Sequence, residues 1–293
     1  MTHKSGFVNI IGNPNVGKST LMNVLIGEKL SIVTSKAQTT RHRILGIVNT
    51  DEYQIVFSDT PGILKPHYKM HEAMMGFVHS ALEDADVLLY VTDMVETIDK
   101  NLEYIEKVNQ SDIPLLLVLN KVDLNKGDKL DEQIAIWKEK LPRAEIFPIS
   151  AQEKFNTHNL FNRIVELLPE GEPFYDKEAF TDKTERFIVS EIIREKIFMG
   201  YQKEVPYSVE VGVEQFKEEE NIIRIKAVII VARDTQKGII IGKGGESLKR
   251  IGTKARIDME KFFGKKVFLE IFVKVEKDWR DSDRLLRQFG YNM

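Results

Sequence analysis

A chain of 293 residues, 42% hydrophobic and 30% charged, carries enough apolar surface for one large core or two moderate ones. It contains no cysteine, which excludes disulfides, cysteine-ligated metal and thiol catalysis. The net charge of −3 is unevenly spread: residues 1–180 hold 19 Lys/Arg against 26 Asp/Glu and residues 181–293 hold 23 against 19, so a polyanionic partner is expected at the second half.

No run reaches 18 apolar residues, and the N-terminus enters a predicted strand without a secretory apolar region, so a cytoplasmic protein is expected. FVNIIG (7–12), YQIVFSDT (53–60), DVLLYVTD (86–93), PLLLVLNK (114–121) and EIFPISA (145–151) are the predicted strands. Several are apolar at consecutive positions, as strands covered on both faces require. Helices are predicted over 19–26, 70–83, 101–110, 130–139 and 159–168, which makes this half an α/β domain with a largely parallel sheet. The run PEGEPFYDKEAFTDKT, with two prolines and one glycine, reads as a linker, so a domain over 1–170, a linker over 171–182 and a second domain over 183–293 are expected.

Past the linker, Phe187, Ile188, Ile192, Ile193 and Ile197 mark one face of a helix. YSVEVGVEQF (207–216) and IIRIKAVIIVA (222–232) read as antiparallel strands around an acidic turn. A glycine-rich loop, a helix over 246–263, the strand KVFLEIFVKV (266–275) and a short helix in DRLLRQFG (283–290) complete an α-β-β-α-α-β order.

GNPNVGKST (12–20) fits G-x-x-x-x-G-K-[ST] and stands between a predicted strand and a predicted helix, the context that motif needs. Gly12 and Gly17 let the backbone wrap phosphates, Lys18 reaches the β and γ oxygens, and the Ser19 hydroxyl ligates Mg²⁺. Asn13, Asn15, Val16 and Thr20 complete the expected contact set of the loop. DTPG (59–62) ends a strand, placing Asp59 for the magnesium shell and the Gly62 amide for the γ-phosphate. NKVD (120–123) ends another, with Asn120 and Lys121 beside Asp123. The Asp123 carboxylate can accept hydrogens from N1 and the exocyclic amine of guanine, a pair adenine lacks, so GTP is selected over ATP. In SAQ (150–152), Ala151 N–H is expected at guanine O6, Ser150 is expected to orient the Asp123 loop, and Gln152 adjoins them. Any one tetrapeptide is as consistent with a glycine turn or a helix cap; four in this order at strand ends are not.

The polar stretch TSKAQTTRHRILG (34–46) reads as a mobile switch whose threonine closes on Mg²⁺, with Thr40 as the expected ligand and Thr39 as the alternative. A second mobile segment is expected from Gly62 through ILKPHYKM (63–70). Ile63 stands where a polar side chain would position water, so Lys18, Thr40 and Gly62 are the expected catalytic groups and slow intrinsic hydrolysis is expected, accelerated by a partner. His42, His67 and His71 are candidate bases, each equally readable as an ordinary surface or core histidine.

The second glycine loop, IIIGKGGESLKRIG (239–252), places no hydroxyl after its lysine and so lacks the magnesium ligand of the first. Gly242, Lys243, Gly244 and Gly245 form G-x-x-G ahead of a helix bearing Lys249, Arg250, Lys254 and Arg256. Bare glycines let a polynucleotide backbone come close, Ile239, Ile240 and Ile241 divide between core and a shallow base-receiving groove, and the cations add salt-sensitive affinity. Residues 233–266 carry 10 basic against 4 acidic groups, which favours an RNA-binding module over a solvated helix start. Trp279, Phe289 and Tyr291 are expected to pack the terminal helix rather than stack on bases.

GNPNVGKST, KAQTTRHRILGI, DTPG, NKVD and SAQ, joined to IIGKGGESLKRIGTKAR and the terminal LRQFGY, resemble the Era family of bacterial ribosome-assembly GTPases over essentially the whole chain. The resemblance implies a translation-factor-like GTPase domain fused to a type II K-homology (KH) domain. It implies GTP and GDP as ligands, binding of the 3′ end of 16S ribosomal RNA during 30S subunit maturation, and peripheral contact with the inner membrane by a monomeric chain. It places phosphates and Mg²⁺ at Lys18, Ser19, Thr40 and Asp59, guanine at Asn120 and Asp123, RNA at Ile241, Gly242, Lys243, Gly244, Gly245 and the basic helix after them, and a potassium ion at Asn15. SAQ departs from the commoner SAK or SAL, of little consequence if Ala151 acts through its backbone. Two readings stay open beside the assembly factor: a GTPase of RNA modification, which would call for chemistry such as the missing cysteines, and an RNA-binding protein whose nucleotide site only stabilises the fold.

Overall fold

The computed structural model describes residues 2–96, 101–125, 127 and 129–291. The chain divides into two compact units, residues 1–67 with 71–182 and residues 68–70 with 183–293.

The first unit holds a six-stranded sheet of β1 (Lys4–Gly12), β2 (Ile44–Asn49), β3 (Tyr53–Asp59), β4 (Val87–Asp93), β5 (Leu115–Asn120) and β6 (Glu145–Pro148), in the order β2-β3-β1-β4-β5-β6. Its helices are α1 (Lys18–Ile26), α2 (Lys69–Glu83), α3 (Leu102–Gln110), α4 (Lys129–Lys140) and α5 (Thr157–Leu167). Every residue of β4 and β5 is buried, which requires cover on both faces and explains their unbroken apolar runs. The parallel pairs β3–β1–β4–β5–β6 direct their carboxyl ends to one edge, where Gly12, Asp59, Asp93 and Asn120 all stand.

β2 corrects the sequence reading, which runs the mobile stretch through Gly46 and assigns no strand over 44–49. It pairs antiparallel with β3 from Ile44↔Asp59 to Asn49↔Gln54, and it gains cover on its other edge from the stretch read as a linker. Ile47 N–H donates to Phe180 O at 2.9 Å, Thr181 Oγ1 to Leu45 O at 2.6 Å, and Leu45 N–H to Asp182 Oδ1 at 3.0 Å. Gln54 Oε1 accepts the Phe174 and Tyr175 amides at 2.7 and 3.0 Å. Residues 171–182 are therefore an arm that satisfies an exposed sheet edge, without repeating a regular strand pattern.

The second unit consists of α6 (Glu185–Gly200), β7 (Val209–Glu218), β8 (Ile222–Val231), α7 (Asp234–Ile241), α8 (Glu246–Phe263), β9 (Lys266–Val275) and α9 (Asp283–Gln288). β7 and β8 are antiparallel with an irregularity between Val213 and Gln215, and β9 joins β8 in parallel. Ile223, Ile225, Ala227 and Ile229 alternate into the core from β8, where they meet Val189, Ile193 and Ile197 of α6 and Ile251, Ala255 and Met259 of α8. The spacings of two and four are those of one strand face and one helix face. Truncating Ile251 to Ala would cost about 2–4 kcal/mol, the usual price of a core cavity.

α6 exceeds its predicted apolar face. Glu191 and Arg194 are also buried and pair at 2.6 Å, while Tyr291 near the C-terminus donates to buried Glu210 at 2.8 Å. Trp279 is fully buried, donates its indole N–H to Ser208 O at 3.1 Å and meets Phe289 edge-on at 5.9 Å. Leu285 and Leu286 of α9 are buried. Among the described residues no helix is long and apolar enough to cross a membrane.

Candidate functional site

A cleft of about 430 Å³ opens at the carboxyl edge of the six-stranded sheet, bounded by residues 14–15, 17–20, 32–36 and 38–40 with Gly62, Lys121, Leu124 and Gln152. Its floor is the loop joining β1 to α1. Gly17 is left-handed at φ 97°, and α1 starts after it with no side-chain cap, so its first-turn amides are available to an anion. A Cβ on Gly17 would lie 2.2 Å from Asn120 Nδ2. Gly62 also approaches that loop closely: a Cβ there would lie 2.8 Å from the Pro14 nitrogen.

Lys18 is buried, and Nζ donates to Gly12 O at 3.0 Å and Asn13 O at 2.8 Å. Burial pulls its ammonium down from 10.5 to about 8, against the opposing attraction of Asp59 and Glu96. Ser19 Oγ donates to Asp59 Oδ2 at 2.6 Å and lies 2.8 Å from Thr40 Oγ1, which donates to the same Oδ2 at 3.2 Å. Asp59 Oδ1 is buried with no hydrogen-bond partner among the described residues. Burial pushes the Asp59 carboxyl up, opposed by the Ser19 hydroxyl and the Lys18 ammonium. Two hydroxyls and an orphaned carboxylate oxygen form an all-oxygen set of the kind a hard divalent cation takes. Thr39 is committed elsewhere, donating to Lys36 O at 2.7 Å and meeting Thr34 Oγ1 at 2.7 Å.

The expected mobile switch is anchored over its second half. Thr39, Thr40, Arg41 and His42 are buried, and Arg43 grips Asp84 (2.6 Å), Ser58 (2.7 Å) and Asn9 (3.2 Å). The residues before Thr39 wall the cleft. Ile63 is buried, with its amide donating to Gly12 O at 3.2 Å, so its side chain is away from the cleft. His42 and His71 are buried and His67 is exposed; none lines the cleft.

Where the guanine contacts are expected, Asn120 is a brace. Its Nδ2 donates to Val16 O at 2.9 Å and its Oδ1 accepts Ala151 N–H at 3.0 Å, so the amide expected at guanine O6 is held by Asn120. Asp123 is exposed on a turn that Val122 N–H ties to Ile149 O at 3.1 Å. Ser150, expected to orient that turn, is buried, and its Oγ accepts Glu153 N–H at 3.2 Å within its own turn. The Asn13 side chain is buried between Glu96 and Asn101, and its backbone carbonyl accepts from Lys18 Nζ. Val16 is buried and contributes through its carbonyl, while Asn15, Thr20 and Gln152 line the cleft. Pro14 and Leu124 line it too and were missed, since neither carries a chemical marker in the sequence.

The second glycine loop joins α7 to α8. Gly242 has φ 74° and a Cβ there would strike Ser247 Oγ at 2.5 Å; Gly244 and Gly245 are left-handed at 59° and 81° with no atom within 4 Å of a Cβ. Lys243, Lys249, Arg250 and Lys254 are exposed. Of the three isoleucines Ile240 is fully buried, Ile241 half-buried and Ile239 exposed, with Tyr201 donating to Ile240 O at 2.8 Å; none of them lines the groove beside the loop. A groove of about 370 Å³ runs beside the loop, lined by Leu248, Lys249, Gly252 and Thr253 of α8 and by Leu269 and Ile271 of β9. The two β9 residues were missed; alternation along KVFLEIFVKV was their only signal. The arrangement offers backbone amides, cations and an apolar slot to an extended polyanion.

A family model described as a 50S ribosome-binding GTPase matches residues 7–121, and one described as a KH domain matches residues 204–280. The chain is 47% identical over 292 residues to GTPase Era of Syntrophus aciditrophicus, spanning 99% of this chain and 95% of that protein. It is 45% identical over 291 residues to GTPase Era of Staphylococcus haemolyticus, spanning 99% and 97%. Among solved structures, Era in complex with MgGDPNP and nucleotides 1506–1542 of 16S ribosomal RNA superposes with a TM-score of 0.95 at 40% identity, covering 99% of this chain and all of that one (100%). A variant of Aquifex aeolicus Era bound to GDP and AlF4⁻ gives 0.94 at 41% identity, with coverage of 99% and 100%.

Proposed function

The chain belongs to the Era family of GTPases, and from that premise we propose a GTP-hydrolysing switch that binds the 3′ end of 16S ribosomal RNA and assists assembly and maturation of the 30S subunit. Residues 1–170 form its GTP-binding domain, residues 171–182 connect, and residues 183–293 bind RNA. The chain acts as a monomer in the cytoplasm. Supporting the switch is the convergence of Ser19, Thr40 and the unpartnered Asp59 Oδ1 beside Lys18. Supporting the RNA partner is the full-length likeness to an Era bound to that RNA.

Lys18 and the free amides of α1 hold the β- and γ-phosphates, and the Gly62 amide senses the γ-phosphate. Ser19, Thr40 and Asp59 would hold Mg²⁺, which would supply charge neutralisation at those phosphates. Asp123 reads the guanine edge, on a loop braced by Asn120, and Asn15 offers its exposed side chain to a potassium ion. With Ile63 turned into the core, water is aligned by backbone groups and by the closed 32–40 segment, so intrinsic turnover is slow. Gly242, Lys243, Gly244 and Gly245 clamp an RNA backbone, Lys249, Arg250 and Lys254 supply charge, and the groove between α8 and β9 receives bases. Crosslinking the GTP-loaded protein to cellular RNA and mapping the contacted nucleotides tests the reading: reads are expected at the 16S 3′ end, and reads dispersed over unrelated RNAs overturn it.

A further inference from the structure

Asp93 closes β4 beside Asn120 in the sheet register and is buried. Its Oδ1 accepts the amides of Val95 at 2.9 Å and Glu96 at 2.8 Å, which fixes the carboxylate on the turn leaving the strand. Its Oδ2 accepts Lys121 Nζ at 2.6 Å, and the same ammonium donates to Asn15 O at 2.6 Å. Asn15 and Lys121 are both left-handed, at φ 67° and 59°, so each loop is turned sharply at the point where the ammonium joins them. The Lys121 side chain is thereby stretched from the end of β5 to the loop after β1, along the wall of the cleft.

We propose that Asp93 is the positioning residue for Lys121. It holds the ammonium against the Asn15 carbonyl, so that the lysine stem forms a fixed apolar rail between the phosphate loop and the Asp123 turn, where the nucleoside lies. Without the carboxylate, the ammonium keeps one neutral acceptor and the stem regains rotamer freedom that nucleotide binding must then remove. The rail touches neither the γ-phosphate nor the attacking water, so it acts equally on GTP and GDP and leaves the chemical step alone. The inference rests on the nucleotide reading of the cleft.

Asp93→Asn is the informative variant, because its remaining carbonyl can still accept the Val95 and Glu96 amides. In the full-length chain, with thermal melts reporting folding, dissociation of fluorescent GDP and GTP is measured for Asp93→Asn, Lys121→Met and the double variant. Both nucleotides are expected to leave Asp93→Asn about tenfold faster, with KM raised, kcat within about twofold, and less than about twofold added in the Lys121→Met background. Dissociation unchanged in Asp93→Asn, an undiminished effect without Lys121, or a fall in kcat at constant KM overturns the assignment. A Lys121→Met chain that keeps normal nucleotide affinity brings down the cleft reading itself; weak binding there beside a normal Asp93→Asn brings down Asp93 alone.

Discussion

Ser19 Oγ and Thr40 Oγ1 lie 2.8 Å apart and both donate to Asp59 Oδ2, while the neighbouring Thr39 hydroxyl is spent on Lys36 O. The two adjacent threonines, equivalent in sequence, are opposite in commitment. Thr40→Ala is therefore expected to lower single-turnover GTP hydrolysis by about 10²-fold at saturating Mg²⁺, and Thr39→Ala to change it by only a few-fold. The reverse order would exchange their roles.

Lys18 makes nucleotide binding proton-linked. Its folded value of about 8 lies below the ordinary 10.5, so holding the charge costs the nucleotide-free protein about 3 kcal/mol below pH 8, a cost that fades as pH rises toward 10.5. Phosphate restores the charged form, so GDP binding at pH 8 should take up roughly half a proton and at pH 6.5 almost none through this group. Calorimetry in buffers of different ionisation enthalpy measures that uptake. Lys18→Met should raise the melting temperature of the nucleotide-free chain while abolishing nucleotide binding; a lowered melting temperature would contradict the buried-charge account.

Asp123 is exposed on a turn held by backbone bonds, so its carboxylate can be altered without disturbing the fold. Asp123→Asn should invert preference from guanine toward xanthine nucleotides by about 10²-fold or more, because the amide donates where the carboxylate accepted. Competition binding of GDP and XDP reads this directly, and retained GDP selectivity would remove Asp123 from base recognition.

Gly244 is left-handed at φ 59° with open space around a Cβ, a conformation Asp tolerates better than most residues. Gly244→Asp should fold normally, weaken binding to 16S 3′-end RNA at least about tenfold by adding charge where the backbone docks, and leave GDP affinity unchanged. Loss of GDP binding with RNA binding intact would overturn the division of labour between the two glycine loops.

The two sites were legible in the sequence to different depths. Gly17, Lys18, Ser19, Asp59 and Asp123 could be placed because phosphate, magnesium and guanine each demand a residue type at a strand end, and strand ends are marked locally by apolar runs. The loop at Gly242 to Gly245 was separable from the loop at Gly12 because the hydroxyl after its lysine is missing, again a local fact. The helix over 246–263 and the strand over 266–275 were readable to the residue, since their periods of four and two are written along the chain.

Partners distant in the chain were decided only by tertiary structure. β2 hid inside a polar stretch because the apolar signal of an edge strand is short, and it is stabilised by Phe180 and Thr181, more than 130 residues away. The same holds for Asn120 bracing Val16 and Ala151, for Asp93 reaching Lys121, and for the Asn13 side chain meeting Glu96. Sequence determined which chemistry the chain carries, because that depends on residue type and local spacing. Only the packed fold decided which of two threonine hydroxyls meets Ser19 and Asp59 and which polar groups hold the others in place, because that depends on where a buried donor finds its acceptor.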